Sequence, residues 1–289
     1  MEDNKFYSYK LVIPAILIYI LFFIIPAIAG FYYSMTDWTI GKNTIEFIGI
    51  DNFRYIFTDD ELRLALFNTF IYTIFVVVMK NVIGLSLALC VNNKIPLSNF
   101  FRTVFYLPAV ISTIVIGLIF IPILHPMGML NQFLDGIGLN ILTRNWLGER
   151  EIVVFTIACV SVWQWSGYHM AIYLAGLQGI SSTYYEAATI DGASYFQKLR
   201  YITIPLLRSS ININVMLSLI GGIRVFSEVY ALTNGGPGKA SQVLTTEVLA
   251  KFGEGRWGLG TALNVVIVII VSIICIPLLK KLREGEIEE

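Results

Sequence analysis

The sequence predicts an all-α integral membrane protein with six transmembrane helices, and three observations carry that expectation. First, the 289 residues are 56% hydrophobic and only 14% charged, where a soluble domain carries about a quarter charged residues. Second, the mean hydropathy is +0.72. Third, the apolar residues gather in six runs, roughly 11–34, 65–91, 103–124, 152–178, 205–231 and 260–279. Each is near the roughly 20 residues that a helix needs to cross a hydrocarbon core of about 30 Å. Unpaired backbone is too costly in lipid for irregular chain to span it. The whole of 1–289 reads as one transmembrane domain, with no internal repeat or low-complexity stretch.

The first run contains Ala27-Ile28-Ala29, which mimics a signal cleavage site. Its length exceeds the roughly 7–15 residues of a signal core, and acidic Glu2 and Asp3 replace a basic leader, so it is expected to stay as a span. Tyr32, Tyr33 and Trp38 close it with rings that favour the headgroup zone. The second run carries Lys80 near its middle, where a packing role is expected. Arg102 precedes the third. The fourth contains Trp163-Gln164-Trp165-Ser166-Gly167-Tyr168, and the fifth holds Asn212, Asn214, Ser218, Arg224 and Glu228. Trp257 precedes the sixth.

Lysine and arginine set the orientation. With the N-terminus inside, Lys5, Lys10, Lys94, Arg102, Lys198, Arg200, Arg208, Lys280, Lys281 and Arg283 fall on the cytoplasmic side. Lys42, Arg54, Arg63, Arg144, Arg150, Lys239, Lys251 and Arg256 fall outside, on the longer segments 35–64, 125–151 and 232–259. Basic density is therefore higher inside, and six crossings place both termini in the cytoplasm.

Several function classes are excluded. Formal net charge is zero, which gives no footing for nucleic acid. Cys90, Cys159 and Cys275 are scattered in apolar runs, and His125 and His169 are isolated, so no metal site is expected. Gly238-Lys239 is followed by Ala240 and preceded at the required distance by Thr233, which is not a Walker A loop. The spans carry no HExxH and no paired catalytic carboxylates, so the chain reads as no enzyme.

The longest expected cytoplasmic loop, 180–204, is built for two short helices. Thr183 and Glu186 have the spacing of a capping box, Ala187 and Ala188 propagate a helix, and Gly192 suits its stop. Pro205 fits the first turn of the next span. Taken together, Glu186-Ala187-Ala188, Gly192, Ile202 and Ile204-Pro205 resemble the EAA loop of ABC importer permeases, EAA-x3-G-x9-I-x-L-P, with Ile204 in place of leucine. Gly49-Ile50-Asp51-Asn52-Phe53, Asn68-Thr69, Arg102 and Pro108 also resemble that family. Leu232-Thr233-Asn234-Gly235-Gly236-Pro237 is similar to the LTxGGP loop of its sugar-type branch, which includes maltose and glycerol-phosphate permeases.

The resemblance implies a type I-like importer fold with a cytoplasmic coupling helix. Glu186, Ala187, Ala188, Asp191 and Gly192 would dock in a separate ATPase subunit that holds ATP and Mg, with no cofactor on this chain. It further implies a second, different permease subunit, two ATPase domains, an external solute-binding protein, and residence in a bacterial or archaeal inner membrane. The implied solute is a carbohydrate.

For the path itself the candidates are Trp163, Gln164, Trp165 and Tyr168, whose flat faces and polar edges suit sugar rings, with Asn214, Ser218, Arg224 and Glu228. Arg224 and Glu228 stand four apart and are expected on one helix face; helix–helix contact is the competing role for these polar groups. The first alternative is a permease of the same family for a non-sugar solute; an ion-coupled secondary transporter is a more distant class, since the paired repeats and mid-membrane carboxylates it favours are not evident.

Overall fold

The computed structural model describes residues 12–92 and 97–287, with side chains through Lys280. Glu2, Asp3, Lys5, Lys10, Lys94 and the side chains of Lys281 and Arg283 lie outside the described residues. The described chain is almost entirely helical, with one isolated β-bridge between Thr36 and Phe47.

Three helices are long and apolar enough to cross a membrane alone: α1 (Ile13–Tyr33), α3 (Asp60–Asn92) and α13, whose apolar part is Trp257–Lys280. Short α2 (Asp51–Thr58) precedes α3. Two further spans are broken. The third run is α4 (Ser98–Val110) and α5 (Thr113–Leu124), bent by 96°; the fifth is α9 (Tyr195–Leu206) and α10 (Arg208–Ile223), bent by 70°. Between them come α6 (Met129–Gly136), α7 (Val153–Gln178) and α8 (Ser182–Ile190). Then α11 (Ser227–Leu232) and α12 (Leu244–Gly253) lead to α13 (Trp257–Ile287).

The fourth expected span, α7, is not among the helices apolar enough to cross a membrane by composition alone. At 26 residues α7 is long enough, roughly 39 Å at 1.5 Å per residue. Its middle is too polar to pass as a lipid-facing helix. The reason is its position: α7 lies in the centre, packed against α3, α4 and α10. Most of its residues are buried, among them Val154, Ile157, Ser161, Gln164 and Tyr173, while Phe155, Cys159 and Trp163 leave one stripe exposed. A helix solvated by other helices need not be apolar. At Gly167 a Cβ would sit 1.8 Å from the Phe105 carbonyl oxygen, so only glycine lets α7 approach α4 this closely. By contrast, none of the apolar window of α1 is buried against the rest of the chain.

Proline explains two irregular turns. Pro26 has no N–H for the carbonyl of Phe22 and its ring crowds that oxygen. The helix widens to π geometry over Ile20–Ile24 just upstream. The same widening occurs over Leu199–Thr203 before Pro205. Pro205 therefore lies in a helix before the bend, not at the start of a straight fifth span.

The break in the third span follows Pro108. Ile111 and Ser112 are extended, which frees backbone groups inside the bundle. Gln164 Nε2 donates to the Ile111 carbonyl at 3.1 Å and to Thr113 Oγ1 at 3.1 Å. Two asparagines fasten loops to helix ends. Asn52 Nδ2 donates to the carbonyls of Ser34 and Thr36, and Asn68 Nδ2 to those of Ala240 and Gln242. Thr69 Oγ1 accepts the N–H of Leu244.

Candidate functional site

The loop after α7 forms a rigid, protruding unit. The N-cap of α8 is Ser181, whose hydroxyl accepts the N–H of Thr183 at 3.3 Å. The expected Thr183–Glu186 box does not form, because Thr183 is already inside the helix. The capping box belongs to α9, where Ser194 and Gln197 satisfy each other's backbone N–H groups.

The stop is as expected. Gly192 has φ +75°, the N–H of Ala193 reaches the carbonyl of Ala188 at 2.8 Å, and that of Gly192 reaches Thr189 at 3.1 Å. That pair of bonds is a Schellman motif. Tyr185 and Thr203 hydroxyls bond at 3.0 Å, and Lys198 Nζ donates to Thr189 Oγ1 at 2.7 Å. These bonds fasten α8 to α9, which leads through the 70° bend into α10.

No residue of α8 is buried. Glu186, Ala187, Asp191 and Gly192 are exposed and Ala188 is half-buried. Beside them stand apolar side chains that the motif reading passed over. Ile190 is 87% exposed and Phe196 78%, with Tyr184 and Tyr195 also open. Their signal in the sequence was plain, since large apolar residues in a polar loop outside the spans have no core of their own.

The candidate path residues divide among three directions. Trp163 points away from the others, against Phe120 (ring centroids 5.0 Å apart), into an apolar cavity of about 710 Å³ between α3, α4 and α7. Gln164 is fully buried and occupied with the α4–α5 break, so it is a structural residue and no lining group in this state.

Asn214 and Ser218 are also buried. Asn214 Oδ1 lies 2.7 Å from His169 Nδ1. Asn81 Nδ2 donates to Ser218 Oγ at 3.0 Å, and Tyr173 donates to Asn81 Oδ1 at 2.6 Å. This seam holds α3, α7 and α10 together, the helix-contact alternative for these two residues.

Trp165, Tyr168 and Glu228 remain together. All are half-buried. Trp165 and Tyr168 meet edge to face at 6.1 Å. Glu228 Oε1 accepts from Trp165 Nε1 at 3.3 Å and from Ser161 Oγ at 3.4 Å.

Arg224 does not join them. It is exposed and ends α10, and the chain breaks before α11 begins at Ser227. The expected shared helix face is therefore lost, and no ion pair links Arg224 to Glu228 among the described residues.

The family described as "Binding-protein-dependent transport system inner membrane component" matches residues 80–284, most of the chain. The chain belongs to this family. As an inner-membrane transport component it is a multi-pass membrane protein and not an enzyme.

The permease is 37% identical over 292 residues to the "Probable ABC transporter permease protein YurN" of Bacillus subtilis, covering 100% of each chain. It is 30% identical to the "Multiple sugar-binding transport system permease protein MsmF" of Streptococcus mutans, covering 98% of each. Among solved structures it resembles a chain of a bacterial alginate ABC transporter in complex with an alginate pentasaccharide-bound periplasmic protein. There the TM-score is 0.82 at 22% identity, over 93% of this permease and 91% of that chain.

The other family-like motifs have structural work in the permease. Asn52 and Asn68-Thr69 hold loops to helix ends. Within the 232–237 stretch, Thr233 Oγ1 bonds Ser241 Oγ and receives the N–H of Gly235.

Proposed function

We propose that this permease moves a carbohydrate across the inner membrane, driven by a separate ATPase subunit that seats on α8. In this reading six crossings place both termini and residues 181–206 in the cytoplasm. ATP and Mg belong to the ATPase pair. A second, different permease subunit completes the path, and an external binding protein delivers the solute to the outer loops. The observation that carries the reading is α8 itself: capped at both ends, bonded to a bent span, and exposing small and apolar residues that nothing covers among the described residues. Movement of α8 would pass through the Tyr185–Thr203 and Lys198–Thr189 bonds into α10, a biased two-state rocking rather than a chemical step.

The sugar-binding name of the 30%-identical relative supports the solute class. The edge-to-face pair Trp165–Tyr168 beside the Glu228 carboxylate gives it a chemistry, since ring faces meet C–H surfaces and the carboxylate accepts hydroxyls.

A clean test avoids Gly192, because any side chain at φ +75° is strained. Ala187→Arg puts a long cation on the exposed face without backbone strain. The expected result is normal membrane insertion with binding-protein-stimulated ATP hydrolysis reduced at least about tenfold, a coupling loss of roughly 1.4 kcal/mol or more. Unchanged stimulation would refute the seat. The solute is read by purifying the binding protein encoded with this permease and identifying its ligand by mass spectrometry.

A further inference from the structure

The short helix α6, between the third and fourth spans, has three distinct faces. Leu130, Asn131 and Leu134 turn toward the rest of the chain. Gln132 and Asp135 form a second face, polar and exposed. Met129 and Phe133, with Ile137 at the C-cap, recur four apart on a third. That third face is apolar and open, with Met129 72% and Phe133 63% exposed.

The rotation of the helix is fixed. Asn131 is buried, and its side-chain amide uses all of its hydrogen-bonding positions. Nδ2 donates to the carbonyls of Pro126 at 3.0 Å and Arg144 at 2.8 Å. Oδ1 accepts from Trp146 Nε1 at 2.8 Å and from the N–H of Arg144 at 3.4 Å. A fully satisfied buried network is rigid, so α6 cannot roll to hide Met129 and Phe133 against its own chain.

The depth of the helix is fixed too. Leu130, Trp146 and Leu147 pack on one apolar cluster with Leu124, the last residue of α5, and with Val153 and Val154, the first of α7. α6 therefore sits level with the ends of two spans. The arm of α5 that enters this turn has an open apolar stripe of its own, Ile114, Leu118 and Ile121. Trp146 stands at the same level, and tryptophan favours the headgroup zone. A helix that shows one apolar and one polar face at that level has the build of an interfacial helix, its apolar side sunk into the headgroup–acyl boundary.

We propose that α6 is an interfacial anchor: its Met129–Phe133–Ile137 face lies against phospholipid at the membrane surface where α5 ends and α7 begins, with Gln132 and Asp135 toward water. It ties the end of the broken third span to that surface. The occupant of the face is lipid rather than another protein chain, and the inference does not depend on which solute the permease carries.

The test uses the assembled transporter in nanodiscs of phosphatidylethanolamine and phosphatidylglycerol. Photoreactive p-benzoylphenylalanine replaces Phe133 on the apolar face or Asp135 on the polar one. After irradiation, peptide mass spectra identify what each position has captured. Phe133→p-benzoylphenylalanine should carry phospholipid at least about fivefold more often than Asp135→p-benzoylphenylalanine, as expected for a face in the boundary against a face in water. The new bond should fall on the glycerol or the upper part of the acyl chain.

Capture of a protein chain in place of lipid, the binding protein included, overturns the proposal. So does equal capture at the two positions, or attachment near the end of the acyl chain, which would put α6 in the membrane core. If the Phe133 variant assembles poorly, Met129→p-benzoylphenylalanine probes the same stripe and is judged by the same outcomes. None of these results bears on the carbohydrate reading, which stands or falls with the binding protein's ligand and with Ala187→Arg.

Discussion

The permease has two structured segments beyond its spans, and they are made in opposite ways. The segment 181–206 is held by near neighbours in sequence: caps, a Schellman turn, and two side-chain bonds between α8 and α9. It buries almost nothing and shows apolar side chains to its surroundings. The segment 232–259 is held from far away in sequence, by Asn68 and Thr69 across more than 170 positions. Leu244, Thr246, Glu247 and Lys251 of α12 are buried within the chain. A segment that completes its own packing is part of the scaffold; one that keeps its shape while its apolar face stays open is made to be covered by something else.

The largest expected effect separates the two by substitution. Asn68→Ala removes two hydrogen bonds to the Ala240 and Gln242 carbonyls, one of them in a buried pair. Leaving buried acceptors unsatisfied costs about 1–3 kcal/mol. The purified protein should melt several degrees lower and expose the segment 232–259 to protease. Ile190→Glu should leave the melting point unchanged, because that side chain is 87% exposed and has no packing to lose, yet abolish ATPase assembly on the complex. Equal melting losses in the two variants would erase the contrast.

How much of this was legible in the sequence follows the same division. Local signals were readable in part: the first and fourth apolar runs end within a few residues of observed helices, but the helix of the fifth begins at Tyr195 and breaks twice before Leu232, the last runs on to Ile287, and Gly192 adopts its left-handed turn. Long-range compensation was not readable. Pro108 hinted at irregularity, but the break at Ile111 survives because Gln164 arrives from α7 to take the freed carbonyl. A polar residue in an aromatic stretch looks the same in sequence whether it lines a path or mends a helix. Asn214 and Ser218 were ambiguous for that reason, until their bonds to His169 and Asn81 were in view. Arg224 and Glu228 looked like one face because a break at Val225 and Phe226 has no glycine or proline to announce it.

A smaller effect probes how the scaffold of 232–259 tolerates charge. Glu247 is 1% exposed, and neither of its oxygens accepts a hydrogen bond from the described residues. Lys251 is 3.8 Å away. Burial pushes this carboxyl above its ordinary value of 4.5, against the pull of Lys251 and Lys239. The folded state therefore holds the proton more tightly than the unfolded one. Stability from this group is full below pH 4.5 and falls as pH rises through the raised value. Glu247→Gln should flatten that part of the melting-point profile, while Glu186→Gln on exposed α8 should leave it unaltered. An unchanged profile in Glu247→Gln would mean that the buried carboxyl is stabilised by something other than its proton.

The smallest effect lies at an ion pair between the segment 232–259 and α3. Lys239 pairs with Glu61, and both side chains are about half exposed. Such a surface pair contributes about 0–1 kcal/mol and is screened by salt. Lys239 also sits at φ +69°, where a side chain costs roughly 1–2 kcal/mol relative to glycine. Two substitutions separate these terms. Lys239→Met keeps the backbone strain and removes the pair, so it should lower the melting point slightly at low salt and not at all near 1 M, where the Debye length is about 3 Å. Lys239→Gly removes the pair and the strain together, at the expense of a more flexible unfolded chain. It should be nearly neutral at low salt and match or exceed the wild type at high salt. If Lys239→Met is as destabilising at 1 M salt as at low salt, its stem packs against the scaffold, and even this corner of the segment 232–259 is held by burial rather than by charge.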